Sequence, residues 1–180
     1  MITSLINLLT ILRIFFGVVI SLLLIFEDYY IVSLILFFFA GLSDYFDGYF
    51  ARKYNATSQI GEILDPIADK ILVVFILITL SINLSSSLIA FASALIISRE
   101  IWVSALRDHS ARNNISNATK VTYLAKIKTA IQMFTILLYL LGLATSKMII
   151  IIFADALIVL SVLITLYTGY SYTLSVLKNK

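Results

Sequence analysis

The sequence lacks several residue types that functional sites commonly use. It contains no cysteine, which excludes disulfides and thiolate-bound metals. It has one proline and six glycines, and no stretch rich in proline, glycine and serine that would mark a linker. The single histidine, His109, begins a polar stretch, where a histidine is far more often a surface residue than a catalytic one. We therefore predict a single domain that spans residues 1–180.

Charge is also scarce. Only 13% of the residues are charged and 61% are hydrophobic, with a mean hydropathy of +1.05. Soluble domains contain about 25% charged and about 45–50% apolar residues. The composition therefore predicts an integral membrane protein, whose partners are membrane lipids and small molecules, with no nucleic acid among them.

Apolar runs of about 17–25 residues, long enough to cross a bilayer, recur along the chain. They are continuously apolar rather than alternating, which favours helices over the strands of a barrel. Arg13 interrupts the first run, which also lacks a basic start and a small-residue cleavage site, so we interpret it as a span rather than a signal peptide. We predict an all-α fold of six transmembrane helices, at about Leu5–Phe26, Tyr30–Phe50, Gly61–Ile82, Leu88–Arg107, Tyr123–Thr145 and Met148–Tyr170.

Basic residues predict the orientation. With six spans, both termini, the second–third loop and the fourth–fifth loop lie on one side of the membrane. The only basic residue in the opposite loops is Lys147. Because basic residues collect on the cytoplasmic side, we predict that both termini are cytoplasmic. We expect the membrane to be the bacterial inner membrane. The basic residues on the predicted cytoplasmic side are Arg52, Lys53, Arg112, Lys120, Lys126, Lys178 and Lys180.

Half of the acidic residues, five of ten, fall between Ser43 and Lys70. Within this window, Asp44 and Asp47 are three apart near the end of the second predicted helix, and Asp65 and Asp69 are four apart near the start of the third. Each spacing places two side chains on one helical face, and consecutive antiparallel helices have neighbouring ends. We therefore predict that the four carboxylates converge near the cytoplasmic surface.

Four carboxylates in a partly dehydrated place repel one another unless cations intervene. Ligands that offer only oxygen favour Mg²⁺, Mn²⁺ or Ca²⁺, and four carboxylates suit two ions that share ligands, as in phosphoryl chemistry. The alternative interpretation is a set of solvated residues at helix ends, paired with Arg52, Lys53 and Lys70. Ionisable residues at membrane depth are usually functional, which favours the metal site.

The same window carries a motif, D-x-x-D-G-x-x-A-R, eight residues, G-x-x-x-D-x-x-x-D, which runs from Asp44 to Asp69. It resembles the signature of the CDP-alcohol phosphatidyltransferase family at every fixed position and spacing. Further stretches resemble the branch of the family that uses glycerol 3-phosphate. They are NLLTILR at Asn7–Arg13, LDPIADK at Leu64–Lys70, SREIWVSALRD at Ser98–Asp108 and AKIKTAIQM at Ala125–Met133. The resemblance extends to about Met133, and the last predicted span carries no residues typical of the family.

The resemblance implies that CDP-diacylglycerol gives its phosphatidyl group to glycerol 3-phosphate, with release of CMP. It also implies six-helix architecture with a cytoplasmic site, two Mg²⁺ or Mn²⁺ ions, and Asp69 as the general base that removes the acceptor proton. The implied metal ligands are Asp44, Asp47, Asp65 and Asp69. The implied CDP-binding residues are Asp47, Gly48, Ala51, Arg52 and Gly61. Homodimers are common in the family, and a homodimer is possible here.

Glycerol 3-phosphate requires a second anion site beside the metals. Arg99 and Arg107 are eight apart on the fourth predicted helix and can share a face, and Lys126 begins the fifth. Resemblance and charge both favour Arg107 and Lys126, while Arg99 could instead pair with Glu100. The predicted acceptor-phosphate residues are Arg107, Lys126, Arg99, Thr10 and Arg13, the last two from one face of the first helix.

Other residues have simpler interpretations. Lys128 is expected to snorkel to the interface. Trp102, Tyr167, Tyr170 and Tyr172 are expected to face lipid or the interface. Asp155 lies inside the last span and has two interpretations, an ion pair with Lys147 or a position at a contact between helices or subunits.

Two other functions remain open. The same chemistry could use another acceptor, such as serine, inositol phosphate or a phospholipid, and would then not need a phosphate clamp. A divalent-cation transporter would use the acids for permeation, but it requires carboxylates near the bilayer midplane and access from both sides.

Overall fold

The computed structural model describes residues 2–26, 29–54, 59–113 and 123–178, which form six α-helices and, within these ranges, no strand. The helices are α1 (Ile2–Ile25), α2 (Tyr30–Tyr54), α3 (Gln59–Asn83), α4 (Ser87–Arg112), α5 (Tyr123–Thr145) and α6 (Met148–Lys178). They coincide with the six predicted spans, so the all-α prediction is confirmed. Three helices exceed their predicted ends by four or more residues, because α2 continues to Tyr54, α4 to Arg112 and α6 to Lys178. The polar stretch that begins at His109 continues beyond α4, and its residues 114–122 lie outside the described residues.

Length and composition identify this as a membrane protein. Four helical segments are long and apolar enough to cross a bilayer, and Tyr30–Asp44 is a shorter apolar segment. Large apolar side chains such as Phe15, Phe91 and Leu163 are more than half exposed on the outside of the bundle, as expected for surfaces that face lipid. The long segments are Asn7–Ile25, Ser87–Arg112, Tyr123–Thr145 and Met148–Lys178.

The bundle is arranged around α3. This helix packs against α1, α4 and α5, while α2 lies against α1 and α5, and α6 lies against α4 and α5. Its second half is mostly apolar, and the face that it turns to the other helices is buried and forms the centre of the core. Core residues with no exposed surface include Ile20 and Leu24 of α1, Leu72, Ile76 and Leu80 of α3, Ile89 of α4, and Ile136 and Leu140 of α5.

Tight turns join α3 to α4 and α5 to α6. Ser85 and Ser146 adopt left-handed backbone angles, with φ of 47° and 51°, which reverse the chain in two or three residues. Ser86 then caps α4, because its side chain accepts a hydrogen bond from the backbone N–H of Ile89. Short connections of this kind hold α3 against α4 and α5 against α6 as antiparallel neighbours.

Close helix packing depends on glycine at two positions. A Cβ on Gly17 would lie 3.1 Å from Cα of Leu72, where α1 crosses α3. A Cβ on Gly142 would lie 2.7 Å from Cγ1 of Ile151 and 3.3 Å from its backbone nitrogen, where α5 meets α6. Small residues at such crossings are what allow helices in lipid to approach closely.

Substituting Gly142→Ala should therefore destabilise the protein. Overpacking costs about 1–3 kcal/mol, while replacing glycine by alanine within a helix gains about 0.5–1 kcal/mol. The matched control is Gly41→Ala, because a Cβ there meets nothing within 4 Å. We expect thermal unfolding in detergent to show a lower midpoint for Gly142→Ala and an unchanged or higher one for Gly41→Ala. Equal midpoints would show that α5 and α6 are not in close contact.

Candidate active site

Arg13 of α1 lies between two of the predicted carboxylates. Its Nη1 donates a hydrogen bond to Oδ1 of Asp69 at 2.7 Å and lies 3.1 Å from Oδ1 of Asp44. The Arg13 side chain is only 1% exposed, whereas those of Asp44 and Asp69 are 56% and 42% exposed. Carboxylates from α2 and α3 thus meet at one buried nitrogen, with their other sides open.

A second contact from α1 lies one turn earlier. Thr10 Oγ1, which is fully buried, donates to Oδ1 of Asp65 at 2.7 Å. Thr10 and Arg13 are about one turn apart on α1, and Asp65 and Asp69 are about one turn apart on α3, so the two pairs of side chains can meet. The structure therefore places both α1 residues against the carboxylates, rather than among the basic residues where the acceptor phosphate was expected.

The remaining motif residues are described in part. Asp47, Gly48, Ala51 and Arg52 lie in the last turns of α2, and predictions about their side chains fall outside what the structure describes. Among the described side chains, which do not include Asp47, no three acids or histidines lie close enough to hold a metal ion. The geometry thus brings Asp44 and Asp69 together, with Asp65 one turn from Asp69. Gly61, one turn before Asp65, is buried.

Asp69 also lines a cavity of about 190 Å³ between α3, α4 and α5. One part of its wall is apolar and includes Val73 and Ile96, and another part is formed by charged side chains. The charged residues around the cavity are Asp69, Lys70, Arg99, Glu100, Arg107 and Lys128. A cavity with four cationic side chains is suited to an anion, and its dimensions suit a small molecule.

Glu100 is the counter-ion of this basic group. Its Oε1 accepts hydrogen bonds from Arg99 Nη1, at 3.0 Å, and from Lys128 Nζ, while its Oε2 lies 4.0 Å from Lys70 Nζ. The alternative that Arg99 pairs with Glu100 is thus confirmed. Lys70 also donates to Ser104 Oγ at 2.6 Å, so it faces α4 rather than the aspartates.

The two lysines of α5 are placed differently from expectation. Lys128 is 5% exposed and lines the cavity, so the expectation that it snorkels is wrong. Lys126 is exposed, and it is not among the residues that line the cavity. Residues two apart on a helix point in nearly opposite directions, which explains why one of them is inward and the other outward.

The two arginines of α4 are held from α6. Arg99, 7% exposed, donates from Nε to the backbone oxygen of Thr165 at 3.1 Å and from Nη2 to Thr168 Oγ1 at 2.9 Å. The guanidinium carbons of Arg99 and Arg107 lie 5.8 and 5.4 Å from the ring centre of Tyr172. Arg107 Nη2 also lies 3.5 Å from the Tyr172 hydroxyl.

Tyr172 is 3% exposed, so the expectation that it faces lipid is wrong. The expectation is confirmed for Trp102, Tyr167 and Tyr170, which are 56%, 62% and 65% exposed. One signal in the sequence could have found Tyr172: it follows Thr165 and Thr168 at helical spacing, which makes a polar stripe on an apolar helix.

Asp155 has a structural partner. Its Oδ1 accepts a hydrogen bond from the hydroxyl of Tyr139 at 2.7 Å, which joins α6 to α5. Tyr139 is fully buried, and a buried hydroxyl in an apolar bundle requires a partner. Of the interpretations left open for Asp155, a contact between helices is therefore the observed one.

Replacing Arg13 should loosen the junction of α1, α2 and α3. Arg13→Gln removes the charge and leaves Asp44 and Asp69 to repel each other. A hydrogen bond to a charged group contributes about 1.5–3 kcal/mol, so we expect a loss of about 2 kcal/mol in metal-free protein. Arg13→Lys, which keeps the charge, should lose less. Thermal unfolding in EDTA measures both, and equal stability of Arg13→Gln and wild type would contradict the pairing.

Comparison with known proteins agrees with the motif. The CDP-alcohol phosphatidyltransferase family model matches residues 3–167. The chain is similar to CDP-diacylglycerol–glycerol-3-phosphate 3-phosphatidyltransferases of Rickettsia bellii and Rickettsia typhi, with 40% and 38% identity over 77% of this chain and 75% and 76% of theirs. It is 44% identical to that of Wigglesworthia glossinidia brevipalpis over 58% of this chain and 57% of that protein. The chain therefore belongs to the CDP-alcohol phosphatidyltransferase family.

Proposed function

We propose that this protein transfers the phosphatidyl group of CDP-diacylglycerol to glycerol 3-phosphate, giving phosphatidylglycerophosphate and CMP. One observation gives the main support: Asp69 is a member of the group of carboxylates and also borders the cavity that the cationic residues surround. Its carboxylate pairs with Arg13 beside Asp44, and it also lines the cavity that the basic residues surround. A base at this junction has the activated lipid on one side and a phosphate-bearing acceptor on the other.

Members of the family generally use divalent metals. The carboxylate set fits such ions, because Asp44 and Asp69 already share one cationic group within 3.1 Å, and hard divalent ions prefer carboxylate oxygen. When bound, two Mg²⁺ or Mn²⁺ ions would neutralise the pyrophosphate and stabilise the departing CMP. The residues proposed to hold them are Asp44, Asp47, Asp65 and Asp69.

Asp69 is proposed to act as the general base. The acceptor hydroxyl gives its proton to the Asp69 carboxylate while its oxygen attacks the phosphorus that carries the diacylglycerol. The bond from that phosphorus to the CMP oxygen breaks as the new bond forms. A carboxylate is a modest base, so Asp69 contributes mainly by its position beside the acceptor cavity.

The CDP moiety is proposed to lie along the end of α2 and the start of α3. Small residues at Gly48, Ala51 and Gly61 leave room for close approach of a ligand. The guanidinium of Arg52 offers the paired N–H donors that suit phosphate. The resemblance of the motif implies that Asp47 would contact CDP as well as metal.

The acceptor phosphate is proposed to bind in the cavity. Lys128 is buried there, Arg99 and Arg107 approach from α4, and Glu100 holds Lys128 and Arg99 in place before the ligand arrives. Lys126 remains a predicted phosphate ligand, but its exposed position supports it less than that of Lys128. Thr10 and Arg13 are better placed to orient the carboxylates.

The location of the site supports the reaction. The distribution of basic residues supports a cytoplasmic position for this end of the bundle, and the bacterial relatives support an inner-membrane location. Acyl chains of the donor would remain in lipid, while the nucleotide and the soluble acceptor reach the site from water. A single domain spanning residues 1–180 suffices for this arrangement.

The direct test uses purified protein in detergent with CDP-diacylglycerol, Mg²⁺ or Mn²⁺, and radiolabelled glycerol 3-phosphate. We expect label to enter the lipid phase only with metal, and Asp69→Asn to lower the rate at least about a hundredfold, since general acid–base catalysis contributes about 10²–10⁴-fold. CMP release with another alcohol, but none with glycerol 3-phosphate, would retain the family chemistry and refute the acceptor. No CMP release with any alcohol would refute the enzymatic proposal, and metal flux into liposomes would then test transport.

The two lysines of α5 provide a matched pair. We expect Lys128→Met to raise the KM for glycerol 3-phosphate about tenfold or more, because a charge-assisted hydrogen bond to phosphate contributes about 1.5–3 kcal/mol. Lys126→Met should have a smaller effect, since its side chain is exposed. Both variants should leave the KM for CDP-diacylglycerol nearly unchanged. A larger effect at Lys126 would place the acceptor phosphate outside the described cavity.

A further inference from the structure

Tyr172 is buried at the point where the two arginines of α4 approach α6. Its ring centre lies 5.8 Å from the guanidinium carbon of Arg99 and 5.4 Å from that of Arg107. An aromatic ring attracts a cation within about 6 Å, and the attraction is stronger when both are removed from water. Tyr172 is 3% exposed and Arg99 is 7% exposed, so at least the Arg99 contact is largely desolvated.

The surroundings of Tyr172 are shaped to receive Arg99. The backbone oxygen of Thr165 and the hydroxyl of Thr168 accept hydrogen bonds from Nε and Nη2. Gly169 lies directly against the stem of the side chain, because a Cβ there would be 3.0 Å from Arg99 Cγ and 3.5 Å from Nε. One turn of α6 thus fixes both the stem and the head of this arginine.

An aromatic ring positions a cation differently from a carboxylate. A carboxylate partner would neutralise the arginine and occupy the N–H groups that a phosphate needs. The ring attracts the cation through its face and engages none of its N–H groups. Arg99 also donates from Nη1 to Glu100, so the ring supports this arginine without adding a second carboxylate. For an arginine whose task is to receive a phosphate, the ring is therefore the better support.

Tyr172 lies beyond the part of the chain that the family model matches, which ends at residue 167. Only its contacts indicate what this position does. Both arginines that it contacts line the cavity proposed for the acceptor.

We infer that Tyr172 is a positioning residue, which holds Arg99 and Arg107 in the orientation that receives the acceptor phosphate. The inference rests on the proposed function, because it assigns the cavity to glycerol 3-phosphate. Tyr172 itself touches neither substrate nor metal in this assignment. Its removal should weaken acceptor binding while the carboxylate site stays intact.

The test compares three variants of the full-length protein in detergent. Tyr172→Leu removes the ring, Tyr172→Phe keeps the ring and loses the hydroxyl, and Tyr170→Leu changes a lipid-facing tyrosine of the same helix. We expect Tyr172→Leu to raise the KM for glycerol 3-phosphate about tenfold, the effect of losing cation–π contacts in a dry site. Tyr172→Phe should restore most of the wild-type KM, and Tyr170→Leu should leave it unchanged.

The pattern of constants separates positioning from loss of structure. A positioning role requires that the KM for CDP-diacylglycerol change less than twofold in Tyr172→Leu while the KM for the acceptor rises. An equal loss in Tyr172→Leu and Tyr172→Phe, or a fall in kcat with no change in the acceptor KM, would overturn the inference. An inactive wild type would instead refute the proposed function, which the same assay detects first.

A second variant covers the case in which Tyr172→Leu does not fold, as judged by gel filtration and thermal unfolding. Gly169→Ala keeps the ring but places a methyl group 3.0 Å from Arg99 Cγ, so it should displace that arginine. We expect a rise of at least threefold in the acceptor KM, again without a change for the lipid donor. A folded Gly169→Ala protein with a wild-type acceptor KM would overturn the idea that α6 positions Arg99.

Discussion

Charge inside an apolar bundle has to be compensated by charge from another helix, and this requirement organises the end of the molecule that contains Asp69. Removing one partner of a buried ion pair costs about 3–5 kcal/mol, because the remaining charge has no water to replace it. Asp44 and Asp69 meet this requirement for the buried Arg13. Glu100 meets the same requirement for the buried Lys128 and Arg99. Each group of like charges is thus held together by one counter-ion.

The two groups are kept apart by the rotation of a single helix. Successive residues of an α-helix point about 100° apart. Asp69 therefore faces Arg13 of α1, while its neighbour Lys70 faces Ser104 and Glu100 of α4. Because α3 runs through the centre of the bundle, one step along its sequence passes from the acidic group to the basic one. A donor lipid bound at the acidic group and an acceptor bound in the basic cavity would therefore meet beside Asp69.

The sequence predicted the features that depend on local spacing. The six helices follow from the apolar runs, and the approach of Asp44 to Asp69 follows from helical periodicity and a short connection. The partners of these residues could not be predicted in the same way. Arg13 and Asp69 are 56 positions apart, so their pairing depends on how α1 rotates against α3. For the same reason the prediction favoured Lys126 over Lys128, whereas Lys128 is the lysine that faces inward and Lys126 is exposed.

The contribution of α6 shows why an apolar helix can still determine a polar site. Asp155 and Lys178 are its only charged residues. Yet its inner face carries Ser161, Thr165 and Thr168, all at most 2% exposed, because in lipid the small and hydroxyl-bearing residues turn toward neighbouring helices. That face supplies hydrogen-bond acceptors and a ring but no negative charge. The α6 contacts therefore hold the arginines of α4 without adding negative charge to that of Glu100, and the cavity, with four cationic and two acidic side chains, keeps the positive charge that a phosphate requires.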